Sequence, residues 1–172
     1  MLKRLFLSVV CSLLCVSVFA QESRAFKKGY SGNVEVANMT IFGKDMYGAR
    51  MQLGTTHGYS FGNGAFVGAG ISVCYDVAIS HVTYATHFDA KYNFLAYSKV
   101  SPFVAMRSGI RFNEMPFTLG NFVNVGGGVD FGRFSMRLGY EFSGRVLGSG
   151  LRSADSVFEK ENSIFCSLAF MF

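Results

Sequence analysis

The sequence predicts an all-β protein, an eight-stranded antiparallel up-and-down transmembrane β-barrel, and three observations carry that prediction. Half of the 172 residues are hydrophobic, yet no run after position 20 reaches the about 20 apolar residues that a membrane helix needs. Apolar and polar residues instead alternate at a period of two through segments of about ten residues, the pattern of a tilted strand crossing lipid. The last segment, Glu161 to Phe172, keeps this up to its final residue: Ile164, Cys166, Leu168, Phe170 and Phe172 share one face, and Ser163, Phe165, Ser167, Ala169 and Met171 the other.

Residues 1–20 read as a secretory signal peptide and are excluded from the fold. Lys3 and Arg4 precede an apolar core from Leu5 to Val16, and small residues around Val18-Phe19-Ala20 suit cleavage. Leu14 before Cys15 argues against a lipoprotein, whose processing wants a small residue there. Loss of Lys3 and Arg4 lowers the formal charge from +5 to +3, too little to argue for nucleic acid. Cys74 and Cys166 remain; they fall on non-neighbouring strands and opposite faces, so two free thiols are expected.

Residues 21–31 form a polar lead-in, and 32–172 the barrel. Strand one, 32–42, alternates imperfectly: Val34 and Val36 share a face, Met39 and Ile41 fall out of step, and a bulge near Ala37 and Asn38 is expected to restore the phase. Strand two, 49–58, sets Met51, Leu53 and Thr55 against Arg50, Gln52, Gly54 and Thr56. The Tyr59–Gly64 stretch carries hairpin punctuation. Strand three, 65–75, has Val67, Ile71, Val73 and Tyr75 outward and an inner face of Gly68, Gly70, Ser72 and Cys74.

Strand four, 83–94, opposes Tyr84, Thr86, Phe88, Ala90, Tyr92 and Phe94 to Ala85, His87, Asp89, Lys91 and Asn93. Strand five, 100–112, points Val104, Met106 and Ile110 one way and Arg107 and Arg111 the other; Pro102 fits a strand end. Strand six, 119–131, sets Val123, Val125, Val129 and Phe131 against Asn124, Gly126, Gly128 and Asp130. Strand seven, 133–143, opposes Phe134, Met136, Leu138, Tyr140 and Phe142 to Arg133, Ser135, Arg137, Gly139 and Glu141. A 17-residue connection, Gly144 to Lys160, leads to the closing strand.

Lipid satisfies no backbone group, so only a closed sheet can span it with strands. An even count puts both ends of the sheet on one side, expected to be periplasmic together with the turns near residues 61, 97 and 132. With no Trp, the interfacial girdles fall to the 19 Phe and 8 Tyr.

The stretches T-T-H-G-Y-S-F-G-N-G-A-F-V-G-A-G-I-S-V (55–73) and F-D-A-K-Y-N-F-L-A-Y-S-K-V-S-P-F-V-A-M-R-S-G (88–109) resemble small outer-membrane barrels of gut-type Gram-negative anaerobes. The eight-strand plan resembles the OmpA/OmpX-type class. That resemblance implies an outer-membrane location and insertion by the barrel-assembly machinery, with Phe172, Phe170 and Leu168 as the assembly signal in the closing strand. The peptidoglycan-binding domain of some relatives is not expected, because the sequence stops with the barrel.

The charges assigned inward are Glu35, Asp89, Asp130 and Glu141 against Arg50, Lys91, Arg107, Arg111, Arg133 and Arg137. An eight-strand interior is just wide enough for side chains to fill, and buried charge is costly unless paired. A paired network plugging the lumen is therefore expected; a narrow conduit for small solutes is the alternative. His87, Asp89 and Lys91 share one inward face, and a His beside a carboxylate can serve as a base, but no Ser stands with them as nucleophile. Lipid A modification at the outer rim, with Ser80 and His81 as nearest candidates, ranks below both, and His57 reads as interfacial. Three histidines on separate elements make no metal site, and no cofactor is implied.

The expected protein is thus a monomer in outer-membrane lipid, without catalysis, acting structurally or through extracellular loops that leave room for an unidentified ligand. The fold-level rival is a soluble lipocalin-like barrel, which needs the opposite arrangement, apolar inward and polar outward.

Overall fold

A computed structural model describes residues 27–42, 47–77, 80–95, 98–113, 118–147 and 157–172. Eight strands follow in chain order: β1 Gly29–Phe42, β2 Tyr47–Ser60, β3 Ala65–Asp76, β4 His81–Asn93, β5 Val100–Asn113, β6 Thr118–Phe131, β7 Phe134–Leu147 and β8 Val157–Met171. Each pairs antiparallel with the next, and β8 returns to β1, so the sheet closes into a barrel without an edge. Gly32 and Phe172 exchange two backbone hydrogen bonds at that seam, of 3.0 and 2.9 Å. Residues 1–20, expected to be a signal peptide, and most of the expected lead-in lie outside the described residues.

The strands outrun the sequence-drawn segments, most of all around the longest connection. There β7 and β8 stay paired through Gly144↔Lys160 to Leu147↔Val157. The near end of the barrel carries Gly29, Met171 and the three short turns. Gly62 and Gly64 take positive φ in the β2–β3 turn. The β6–β7 turn is two residues, Gly132 and Arg133, with Gly132 at φ 61°, where a II′ hairpin takes glycine because a Cβ would clash.

Alternation decides the two faces. Val36, Leu53, Ile71, Phe88, Val104, Val125, Leu138 and Leu168 all point out and are exposed, while Arg50, Asp89, Arg107, Arg137 and Glu141 point in and are buried. That arrangement is the inverse of a soluble barrel. Aromatic rings border the apolar band. At the near end Tyr59 meets Phe61, Tyr92 meets Phe94 and Phe134 meets Phe170, at centroid separations of 5.3, 5.6 and 5.4 Å. At the far end Tyr84 stacks on Phe112 and Tyr140 packs on Phe142.

β1 departs from expectation. Its register with both β2 and β8 runs unbroken from Asn33 to Phe42, so no bulge interrupts it. Ala37, Met39 and Ile41 point inward and are buried, and Asn38 and Thr40 point outward. The cause is the small lumen, which takes apolar filler as readily as polar: Ala37 and Met39 pack against Phe165 in an apolar layer. Glycines make room for such rings. A Cβ at Gly139 would lie 2.6 Å from Phe165 Cζ, and one at Gly128 2.6 Å from Phe103 Cζ.

Candidate functional site: the charged interior

Inward side chains form stacked layers of charge down the lumen. Nearest the turns, Lys91 pairs with Asp130 at 2.6 Å. The Asn93 amide donates to Asp130 at 2.7 Å, and Lys91 Nζ lies 4.0 Å over the Phe103 ring. Across β5, the β6 carboxylate takes a cation and an amide from two β4 residues that lie two apart on one face.

The central layer is built on Arg107. Its Nη1 and Nη2 donate to the two Glu35 oxygens at 2.9 and 3.0 Å, and its Nε and Nη2 to Asp89 Oδ2 at 2.9 and 2.6 Å. Arg137 approaches Asp89 Oδ2 at 3.6 Å, donates to the Asn124 side-chain carbonyl at 2.7 Å and lies over the Phe165 ring. His87 shares a 3.0 Å hydrogen bond with the Thr56 hydroxyl beside this layer.

Above it, Arg111 grips Glu141 with two bonds of 2.7 and 2.8 Å and covers the Phe122 ring at 4.3 Å. At the far end Arg50 holds Asp76 through two bonds of 2.6 and 3.1 Å and reaches Glu161 at 3.4 Å. A cavity of about 50 Å³ opens there, lined by Arg50, Asp76, His81, Thr83 and Glu161 among others. A second of about 30 Å³ lies by Lys91, Asp89 and Arg137. Each has room for at most a few waters.

Of the ten interior positions expected from sequence, Arg50, His87, Asp89, Lys91, Arg107, Arg111, Asp130, Arg137 and Glu141 line the lumen. Arg133 does not: it occupies the two-residue β6–β7 turn and is exposed, because the inward row of β7 begins at Ser135. Glu35 joins the central layer as its phase implied. Asp76 and Glu161 are two further interior carboxylates: Asp76 fell in the loop expected after strand three, and Glu161 opened the closing strand without being assigned inward. Extending the inward rows of β3 and β8 by one step, past Cys74 and before Ser163, reaches both.

His87, Asp89 and Lys91 do share a face, but Asp89 is engaged by two arginines and Lys91 by Asp130. Asp89 and Lys91 are thus each held in ion pairs with residues of other strands, and His87 is bonded to Thr56. His81 lines the far cavity, and His57 sits outside, bonded to the Tyr30 hydroxyl and to Thr55 and edge-on to Phe172. Leu168, Phe170 and Phe172 form the outward row of β8 towards the near end, with Phe172 at the seam. Among the described residues no group of three or more His, Cys, Asp or Glu could hold a metal ion. Cys74 is buried, Cys166 exposed, and both are free thiols.

Closed, edge-free strands, an apolar outer band and a charged, side-chain-filled interior define the small transmembrane β-barrel. Solved structures of that class share the fold. Neisserial surface protein A matches over 84% of this chain and 97% of its own at 12% identity, with a TM-score of 0.53. A de novo designed transmembrane β-barrel matches over 87% of this chain and all of its own at 10% identity, TM-score 0.54. The outer-membrane enzyme PagL aligns over 78% of this chain and 97% of its own at 14% identity and a TM-score of 0.49. No protein-family model matches the chain, and no curated protein does.

Proposed function

We propose that the chain is an integral protein of a bacterial outer membrane, exported by residues 1–20, closed to solutes and without catalysis. It works through its far-end connections, as scaffold or as a surface for an extracellular ligand. The supporting observation is that the lumen charges are spent on one another: five cations, Arg50, Lys91, Arg107, Arg111 and Arg137, each contact at least one of six carboxylates. A conduit needs charges that face water and exchange ions. Guanidiniums held bidentately by carboxylates, and roofed by aromatic rings, offer no such surface. The non-catalytic reading draws on the same engagement of Asp89. In biogenesis the outward row Leu168, Phe170 and Phe172 is the part offered to the assembly machinery.

The test is single-channel recording in planar bilayers. The wild-type protein is expected to give no steady openings. Regular openings whose size changes in Arg107→Ala or Arg137→Ala would overturn the closed lumen in favour of a narrow channel. Altered lipid A acylation on overexpression, lost in His81→Ala or His87→Ala, would overturn the non-catalytic reading.

A further inference from the structure

Within the apolar band, Asn38 of β1 stands out. It faces away from the lumen and is exposed, four positions from Phe42 at the far end and eight from Tyr30 at the near end. Its cross-strand neighbours are Met51 on β2 and Cys166 on β8, with Leu138 beyond Cys166 on β7. The unbroken phase that buries Glu35, Ala37 and Met39 leaves Asn38 no other face. Its carboxamide makes no hydrogen bond with another described residue. Lipid tails supply no donor or acceptor, so an amide held among them is left unmet at a cost in free energy.

We propose that Asn38 marks a contact face, across the β1–β8 seam, for a second copy of this chain. A carboxamide carries both donor and acceptor, so two of them related by a two-fold axis satisfy each other through reciprocal N–H···O bonds. Closed two-fold pairs are the commonest symmetric assembly. Lipid cannot provide that complement, and neither can a partner offering only apolar side chains. The positions around Asn38 suit close approach: Cys166 and Thr40 are small and exposed, and Ala49 follows on β2 opposite Thr40. Small residues let membrane surfaces approach closely enough for such bonds. This inference rests on the membrane-spanning reading above and departs from the monomer expected from sequence.

Cys166 beside Asn38 provides the reporter. The protein, expressed from its whole coding sequence and purified from membranes, is reconstituted in vesicles at a low protein-to-lipid ratio and oxidised with copper phenanthroline. Two Cys166 thiols then lose two protons and two electrons to the oxidant and join as one disulfide. The expected result is a disulfide-linked dimer that is absent in Cys166→Ser and reduced about three- to tenfold in Asn38→Leu. Sedimentation equilibrium in density-matched micelles is expected to show the same dimer in Cys166→Ser, weakened by Asn38→Leu to the same degree. Asn38→Leu should itself keep the compact gel form to at least the wild-type urea concentration, which separates loss of pairing from loss of fold.

A monomer at every concentration overturns the proposal, as does a dimer indifferent to Asn38→Leu. So does one that cross-links through Thr86→Cys on β4, in a Cys166→Ser chain, while the wild-type chain does not link through Cys166. Unboiled gel mobility on the same samples reads the membrane barrel separately. A chain that shifts on boiling yet never pairs sinks the dimer and leaves the barrel standing.

Discussion

Arg107 holds Glu35 through two parallel bonds and Asp89 through two more, all of 3.0 Å or less, with the guanidinium buried. Removing the cation strands Glu35 and leaves Asp89 only Arg137 at 3.6 Å, in a medium that hydrates neither carboxylate, whereas removing Glu35 leaves Arg107 a second partner. Arg107→Met is therefore expected to destabilise the barrel by about 3–5 kcal/mol, and Glu35→Gln by about 1–2 kcal/mol. The combination of Glu35→Gln with Arg107→Met should recover most of the loss, because the remaining Asp89 still has Arg137 as its cation. Urea titration of the fast-migrating gel form in micelles measures all three. Equal losses for Arg107→Met and Glu35→Gln would show that the layer is hydrated and the pairing weak.

At the scale of the strand, interior volume and not polarity sets what each inward row can hold. β7 offers Gly139 where β8 brings Phe165, and a Cβ there would meet Val125 O at 2.5 Å as well as the ring at 2.6 Å. Gly139→Leu is expected to cost about 1–3 kcal/mol or more, whereas outward Ala90→Leu, which only adds apolar surface to the band, should cost nothing measurable. The urea midpoints of the two variants check this; equal midpoints would mean a lumen loose enough to absorb a leucine. The same volume logic marks what the sequence disclosed. Strand phase was legible wherever charges or glycines alternated with aliphatics, as in β3, β4 and β7, and it placed nine of ten interior residues. It misled at Met39 and Ile41, because apolar filler for a narrow lumen looks the same in sequence as a lipid-facing row. It failed at Arg133 and Asp76 for a different reason. A strand's end is set by pairing to its neighbour, which a one-dimensional pattern does not contain.

For the whole molecule, the decisive physical quantity is the cost of charge on the outer surface, since this separates a barrel in lipid from the same barrel in water. Leu53, on β2 between Met51 and Thr55, is more than half exposed in the middle of the apolar band, and Tyr30 lies at its near border. If hydrocarbon covers the band, Leu53→Arg should cost about 2–4 kcal/mol and Tyr30→Arg no more than about 1 kcal/mol. In water both substitutions would be near neutral, because neither residue packs inside. The measurement is reversible urea unfolding in phosphatidylcholine vesicles, followed by the mobility difference between unboiled and boiled samples. The wild-type chain is expected to migrate faster unboiled, since closure of β8 on β1 leaves detergent no edge to open. A depth-dependent cost at Leu53 and Tyr30 would tie the apolar outer face to lipid. Indifference at Leu53 together with unchanged mobility on boiling would remove the membrane from the account, and would turn the far-end cavity by Arg50, His81 and Thr83 into the first place to look for a soluble ligand.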